Sequence, residues 1–336
     1  MKRLFFFLLL VLIVAATGAV GFAWMRYEAF LQQQAPVSVD FEVVRGWGVA
    51  KTAEQLEARG VLDSALFFRL LDRQTPGTAL KAGTFAIEAG MTPLQILEKL
   101  RSSQVVQRSI TFPEGITLIH IADKFRQAGW PQVGDALLTP EGVQRLGVAQ
   151  PSLEGMLFPD TYFYTLEEEG WVVAQRMAQR MQQVLQQQWQ KRPAEHPLSA
   201  YESLILASIV EKETAAAAER PQIAGVFFNR LARKMRLQSD PTVIYGIADY
   251  RGNITRTHLR TLTPYNTYMI QGLTPTPICS PGADAITAVF HPLKSRALYF
   301  VARGDGSGTH MFAQSVAEHN RNVKKYLAQL RKNRKP

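Results

Sequence analysis

The chain opens on an unbroken apolar run from Leu4 to Trp24, with no charged residue and no proline in it. About 20 apolar residues cover a hydrocarbon core roughly 30 Å thick, so this run is long enough for one transmembrane helix. Lys2 and Arg3 precede it, which predicts a short cytoplasmic N-terminus (residues 1–3) and places everything after Trp24 outside. Trp24 and Tyr27 stand where interfacial aromatics belong. A cleaved signal peptide is the other reading, with Gly21-Phe22-Ala23 as its cleavage site. The run exceeds the usual signal-peptide core of about 7–15 residues, which favours an anchor over residues 4–24.

Past the anchor the pattern shortens. Residues 25–39 are Gln-rich with one proline and read as a spacer helix or stalk. From Asp40 to about residue 108 a small α+β module is expected. Phe41 to Val44 alternates as a strand, and Val49 to Arg59 has helical spacing ending at Gly60. Ser64 caps a second helix, Ala82 to Ile87 is a short strand, and Thr92-Pro93 opens a third helix running to Leu100. A larger α+β region spans 109–336. Within it Thr117 starts a helix through Phe125, and Trp171 to Trp189 is amphipathic. Its stripe of Val173, Met177, Met181 and Val184 reads as core packing.

At 336 residues, with 46% apolar and 20% charged residues, the composition is that of an ordinary globular protein. The net charge of +10 points to an acidic partner, and part of it collects in the tail at Lys324-Lys325 and Arg331-Lys332-Asn333-Arg334-Lys335. For an exported domain, anionic lipid headgroups or wall polymers suit this charge better than nucleic acid. Cys279 stands alone, which excludes an internal disulfide and multi-cysteine metal clusters, and its turn-rich setting suggests a structural role. No cofactor or metal is expected.

The stretch Leu204 to Thr214 reads as a helix capped by Ser199 or Ser203. At about 100° per residue, Ile205, Leu206, Ile209 and Val210 share one apolar face, with Glu213 near its middle and Glu211 almost opposite. A carboxyl steered into apolar surroundings stays protonated to higher pH. Such a group can protonate a leaving glycosidic oxygen. A buried glutamate paired with Arg220 or Arg230 fits the same wheel equally well. Gln238-Ser239-Asp240 and Tyr265-Asn266-Thr267-Tyr268 add polar-aromatic clusters of the kind that line sugar sites.

These motifs, in order, resemble the endolytic murein transglycosylases. The resemblance is carried by Ala207 to Thr214, Glu219-Arg220, Phe228 to Leu231, Arg236 to Gly246, Pro264 to Tyr268 and Ser280 to Asp284. Glu154 to Thr161, Tyr299 to Ala302, His310 to Phe312 and His319-Asn320 match as well, so the likeness spans nearly the whole chain. The resemblance implies a single-pass inner-membrane lyase with a LysM-like module at 40–108 and a periplasmic transglycosylase domain at 109–336. It implies cleavage of the MurNAc–GlcNAc β-1,4 bond to leave 1,6-anhydro-MurNAc ends. The strands cut would be nascent ones, and peptidoglycan synthases would be partners. It makes Glu213 the catalytic residue, with Glu219, Gln238, Asp240, Tyr265 and Asn266 orienting it or the sugars. His310 and His319 are expected to be structural. The alternatives from other classes are a non-catalytic wall-binding scaffold and a water-using muramidase on the same site.

Overall fold

A computed structural model describes residues 2–248 and 250–333; Arg334 and Lys335 of the basic tail lie outside the described residues. The chain divides into two compact units. One holds the residues up to Ser109 together with Phe163–Glu168, and the other holds Ile110–Tyr162 and everything from Glu169 onward.

In the first unit, helix α1 (Lys2–Leu31) contains the apolar run and continues past it without a break. It is the one helix among the described residues long and apolar enough to cross a membrane. The stretch read as a stalk is not a free spacer. Tyr27, Phe30 and Ala35 are buried in the unit's own core. Strands β1 (Val39–Val43) and β2 (Gly83–Ile87) pair antiparallel with Phe41 opposite Phe85. Helices α2 (Val49–Ala58), α3 (Ala65–Gln74) and α4 (Pro93–Arg101) pack around this ribbon. Their starts follow the local chemistry. The Ser64 side chain accepts from the Phe67 N–H, and Thr92 with Gln95 forms a reciprocal capping box ahead of Pro93. Strands β3 (Gln107–Thr111) and β4 (Thr161–Thr165) contain two of the three points where the chain passes from one unit to the other, the third falling after Glu168.

The second unit begins with three short helices, α5 (Leu118–Gln127), α6 (Pro131–Leu137) and α7 (Pro140–Leu146), and the long α8 (Gly170–Lys191). The Val173, Met177, Met181 and Val184 stripe of α8 is buried. Thr117 precedes α5 but does not cap it through its side chain. The Glu154 carboxylate instead accepts from the Leu118 N–H at 3.1 Å. At the centre lies α9 (Ala200–Glu213), capped by a Ser199–Glu202 box. The single apolar face expected for this helix is replaced by burial all round, with every residue from Ser203 to Val210 covered. Ser203 and Ser208 tolerate this because their hydroxyls bond back to the Ser199 and Ile205 carbonyls.

Helices α10 (Arg220–Ala232) and α13 (Ala283–Phe290) pack on α9. Two short helices, α11 (Asp240–Tyr245) and α12 (Arg256–Arg260), lie between them in sequence. The antiparallel pair β5 (Tyr299–Ala302) and β6 (His310–Ala313) is covered by α14 (Val316–Asn333). Cys279 is fully buried, with its thiol directed at the Ser208 carbonyl, and burial pushes that thiol up.

Candidate active site

Glu213 is the last residue of α9, at the carbonyl end of a helix buried from Ser203 to Val210. That end carries a partial negative charge and disfavours a carboxylate. The residue keeps some solvent contact because it stands on the wall of a cavity of about 350 Å³. Gln238 and Asp240 line the same cavity, as do Arg230, Leu237, Tyr268, Tyr299, Phe300 and His319. Burial pushes the Glu213 carboxyl up to about 7, and the charge of Asp240 adds to the effect. The Ser239 hydroxyl and the Arg230 guanidinium oppose it. Ser239 is buried and its hydroxyl has no well-aligned hydrogen bond in the structure.

The salt-bridged alternative for Glu213 does not hold. Arg220 Nη2 lies 2.7 Å from Glu211, whose other oxygen accepts from the Gly282 N–H at 3.0 Å. Glu114 and Asp284 lie around the same guanidinium at 3.4 and 3.6 Å. A Cβ on Gly282 would run into the Glu114 carboxylate, the end of a half-exposed side chain that would have to swing away from Arg220. Arg230 lies in the cavity wall with its Nε and Nη1 turned to acceptors other than Glu213. Its Nε bonds the Leu298 carbonyl at 2.6 Å and its Nη1 the Leu237 carbonyl at 2.8 Å. Among the described residues Glu213 forms no ion pair.

The expected supporting residues separate into two groups. Gln238 reaches the cavity from a left-handed backbone with φ of 50°, and its Oε1 accepts from Arg230. A non-glycine residue there is strained, the kind of outlier that clusters at functional sites. Asp240 opens α11, and its Oδ1 accepts from the Tyr268 hydroxyl at 2.6 Å. The other three do not line the cavity. Glu219 accepts from the His310 N–H at 2.9 Å and meets His310 Nδ1 at 2.7 Å, and the His310 ring lies edge-on to the wall residue Phe300. Tyr265 packs edge-on against Tyr245, its hydroxyl 2.9 Å from that of Thr276. Asn266 is buried and ties the carbonyls of His258, Leu259 and Thr261 to the Tyr268 N–H. Glu219 thus reaches the wall through His310 and Asn266 through Tyr268, whereas the side-chain contacts of Tyr265 fall on residues outside the wall.

Sequence reasoning did not place Tyr299, Phe300 or His319 at the site, and considered Arg230 only as an ion-pair partner for Glu213. His319, expected to be structural, stacks on Tyr299 at 5.3 Å with its Nδ1 buried and unpaired. Burial and the Arg230 charge push its pKa down, so it is neutral near pH 7. The signal that could have found it is the spacing Tyr299 to His319, which brings β5 and α14 together only once the fold is known.

A profile of the YceG-like family matches residues 41–325. The chain belongs to the YceG-like family. An "Endolytic murein transglycosylase" of Bacillus subtilis (strain 168) is 28% identical over 331 residues, spanning 92% of this chain and 91% of that one. A protein of the same name from Streptococcus pneumoniae serotype 2 (strain D39 / NCTC 7466) is also 28% identical, over 96% of this chain and 64% of its own length. The 2.6 Å crystal structure of a yceG-like protein from Listeria monocytogenes superposes with a TM-score of 0.56 at 29% identity. It covers 85% of this chain and 99% of its own. The likeness to these YceG-like relatives extends well beyond the site.

Proposed function

We propose that this YceG-like protein is a lytic transglycosylase that cuts peptidoglycan glycan strands, with Glu213 as its one acid and base. The observation that carries the reading is a carboxyl raised to about 7 on an open cavity wall, without a salt-bridge partner. Near neutral pH much of it holds a proton to give to the glycosidic oxygen between MurNAc and GlcNAc. As that bond breaks, positive charge builds on the MurNAc ring, and Asp240 places a carboxylate in the cavity wall to meet it. The Glu213 carboxylate left behind is stabilised by Arg230 and Ser239, the two groups that favour its ionised form. It then takes the proton of the MurNAc C6 hydroxyl, whose oxygen closes on C1 to give the 1,6-anhydro ring. The nucleophile belongs to the substrate, so no second carboxylate is needed to activate water.

In this reading Gln238, Tyr268, Tyr299, Phe300 and His319 hold the sugars, and Glu219 and Asn266 keep the wall in place. Helix α1 is a single-pass inner-membrane anchor, residues 40–108 are a LysM-like module, and the remainder acts in the periplasm on nascent strands beside the synthases that make them. Mass spectrometry of products from purified sacculi tests the chemistry. Anhydro-MurNAc ends, lighter by one water than reducing ends, are expected. Reducing ends in their place would mean hydrolysis, and no cleavage at all would mean a wall-binding scaffold.

A further inference from the structure

Helix α3 has two faces of opposite character. Phe68 and Leu71 are buried in the core of the first unit, whereas Leu66, Arg69, Leu70 and Arg73 are exposed. The exposed set falls at i, i+3, i+4 and i+7, which is one stripe of a helix. Leu66 is 66% exposed and Leu70 38% exposed, so two leucines and two arginines share a surface that this chain leaves uncovered. A flank of the same helix is fixed to the end of α1. The Phe67 ring packs on Tyr27 at 5.5 Å and on Phe30 at 5.7 Å, and the Tyr27 hydroxyl donates to Gln74 Oε1 at 2.7 Å.

The vertical position of α3 follows from these contacts. The apolar run of α1 ends at Trp24, and Tyr27 is three residues further along an unbroken helix. At 1.5 Å per residue that is a rise of about 5 Å. If α1 spans a bilayer, α3 is therefore held at the level of the lipid headgroups. Leucines beside arginines on one helical stripe are the composition of a helix lying in that layer, apolar side chains in the acyl boundary and cations among anionic headgroups. We propose that the Leu66–Arg69–Leu70–Arg73 face of α3 is a membrane-contact surface that seats the first unit on the outer face of the bilayer. This rests on the anchor reading of α1 and goes beyond it, because an anchored α1 sets the height of α3 without fixing which of its faces meets lipid.

The test uses the full chain in vesicles of equal parts phosphatidylcholine and phosphatidylglycerol. Environment-sensitive fluorophores are placed at Leu66→Cys or Leu70→Cys, with Glu57→Cys on the exposed part of α2 as reference and Val14→Cys within the anchor. Cys279 is buried and stays unlabelled. Lipids carrying a quencher near the headgroup should quench positions 66 and 70 several-fold more than position 57. The double variant Arg69→Glu with Arg73→Glu should reduce that difference, and deep quenchers should reach position 14. Quenching at position 14 with positions 66 and 70 no different from 57 overturns the proposal and leaves the anchor standing. That is also the result if the face serves a protein partner. Absence of quenching at position 14 overturns the anchor and the proposal with it.

Discussion

Replacing Glu213 with glutamine keeps the shape of the side chain and removes its only titrating group. Two effects should follow, with opposite signs. General acid–base assistance is worth about 10²–10⁴ in rate, and here one group serves both steps, so release of anhydro ends should fall by about 10³ or more. Stability should move the other way. A carboxyl raised from 4.5 to about 7 by burial opposes folding once it ionises. The full displacement corresponds to roughly 3 kcal/mol, reduced to about 2 by the solvent contact at the cavity wall. The folded-state pKa lies above the unfolded one, so this group's contribution is fully present below pH 4.5 and is lost as pH rises through about 7. Glutamine never ionises and suffers no such loss. In detergent-solubilised full-length protein, chemical denaturation should therefore show Glu213→Gln more stable than the parent by about 2 kcal/mol near pH 8.5 and little different near pH 5. The parent's kcat/KM on uncrosslinked glycan should fall about tenfold per pH unit above 7. Undiminished release of anhydro ends by the variant would refute the catalytic assignment. Equal stability of the two proteins at both pH values would refute the raised pKa.

Other substitutions separate the wall from its supports. Arg220→Met leaves Glu211 buried without its cation, and breaking one side of such a pair costs about 3–5 kcal/mol, so melting temperature should fall sharply. Gln238→Gly relieves the left-handed backbone at φ 50° and should add up to about 1 kcal/mol of stability while lowering activity, the signature of strain held for function. His319→Ala removes a ring that stacks on Tyr299 without supporting the core. KM should rise about tenfold, corresponding to about 1.4 kcal/mol of lost sugar contact, with little change in melting.

Much of the local structure was legible because it rests on local chemistry. Ser64, Thr92-Pro93 and Ser199 start helices where capping residues should, and the α8 stripe is buried as its spacing requires. What failed was anything decided by distant residues. Thr117 looked like a cap, but a carboxylate 36 residues away serves the α5 N-terminus. The wheel of α9 predicted one apolar face, whereas α8, α10, α11 and α13 all contact that helix, so small hydroxyl residues are buried too. The continuation of α1 into the first unit's core was hidden by a Gln-rich tract that resembles a spacer, while Tyr27 and Phe30 within it do the packing. At the site, Glu213, Gln238 and Asp240 came from one stretch of sequence and lie together. Arg230 was read only as the partner of a salt-bridged Glu213 and not as a wall residue, and Tyr299 and His319 join only through the β5–α14 contact.

The contrast between Glu211 and Glu213 explains why a single helix end can hold both a strut and an acid. Two residues apart, they project about 200° from one another around α9. Burial pushes both carboxyls up, so desolvation alone does not tell them apart. Their partners do. Each oxygen of Glu211 is already engaged, one by Arg220 and the other by the Gly282 N–H, so any proton it held would have no path to a substrate. Glu213 faces an open cavity in which Arg230 directs its Nε to the Leu298 carbonyl and its Nη1 to the Leu237 carbonyl and Gln238. Arg230 thus contributes charge without occupying the acid. With the Ser239 hydroxyl it opposes the upward displacement, without forming an ion pair with the carboxylate. A proton held near neutrality, an open wall and a fixed cation that does not bind it are together what a lone carboxyl needs to act first as acid and then as base.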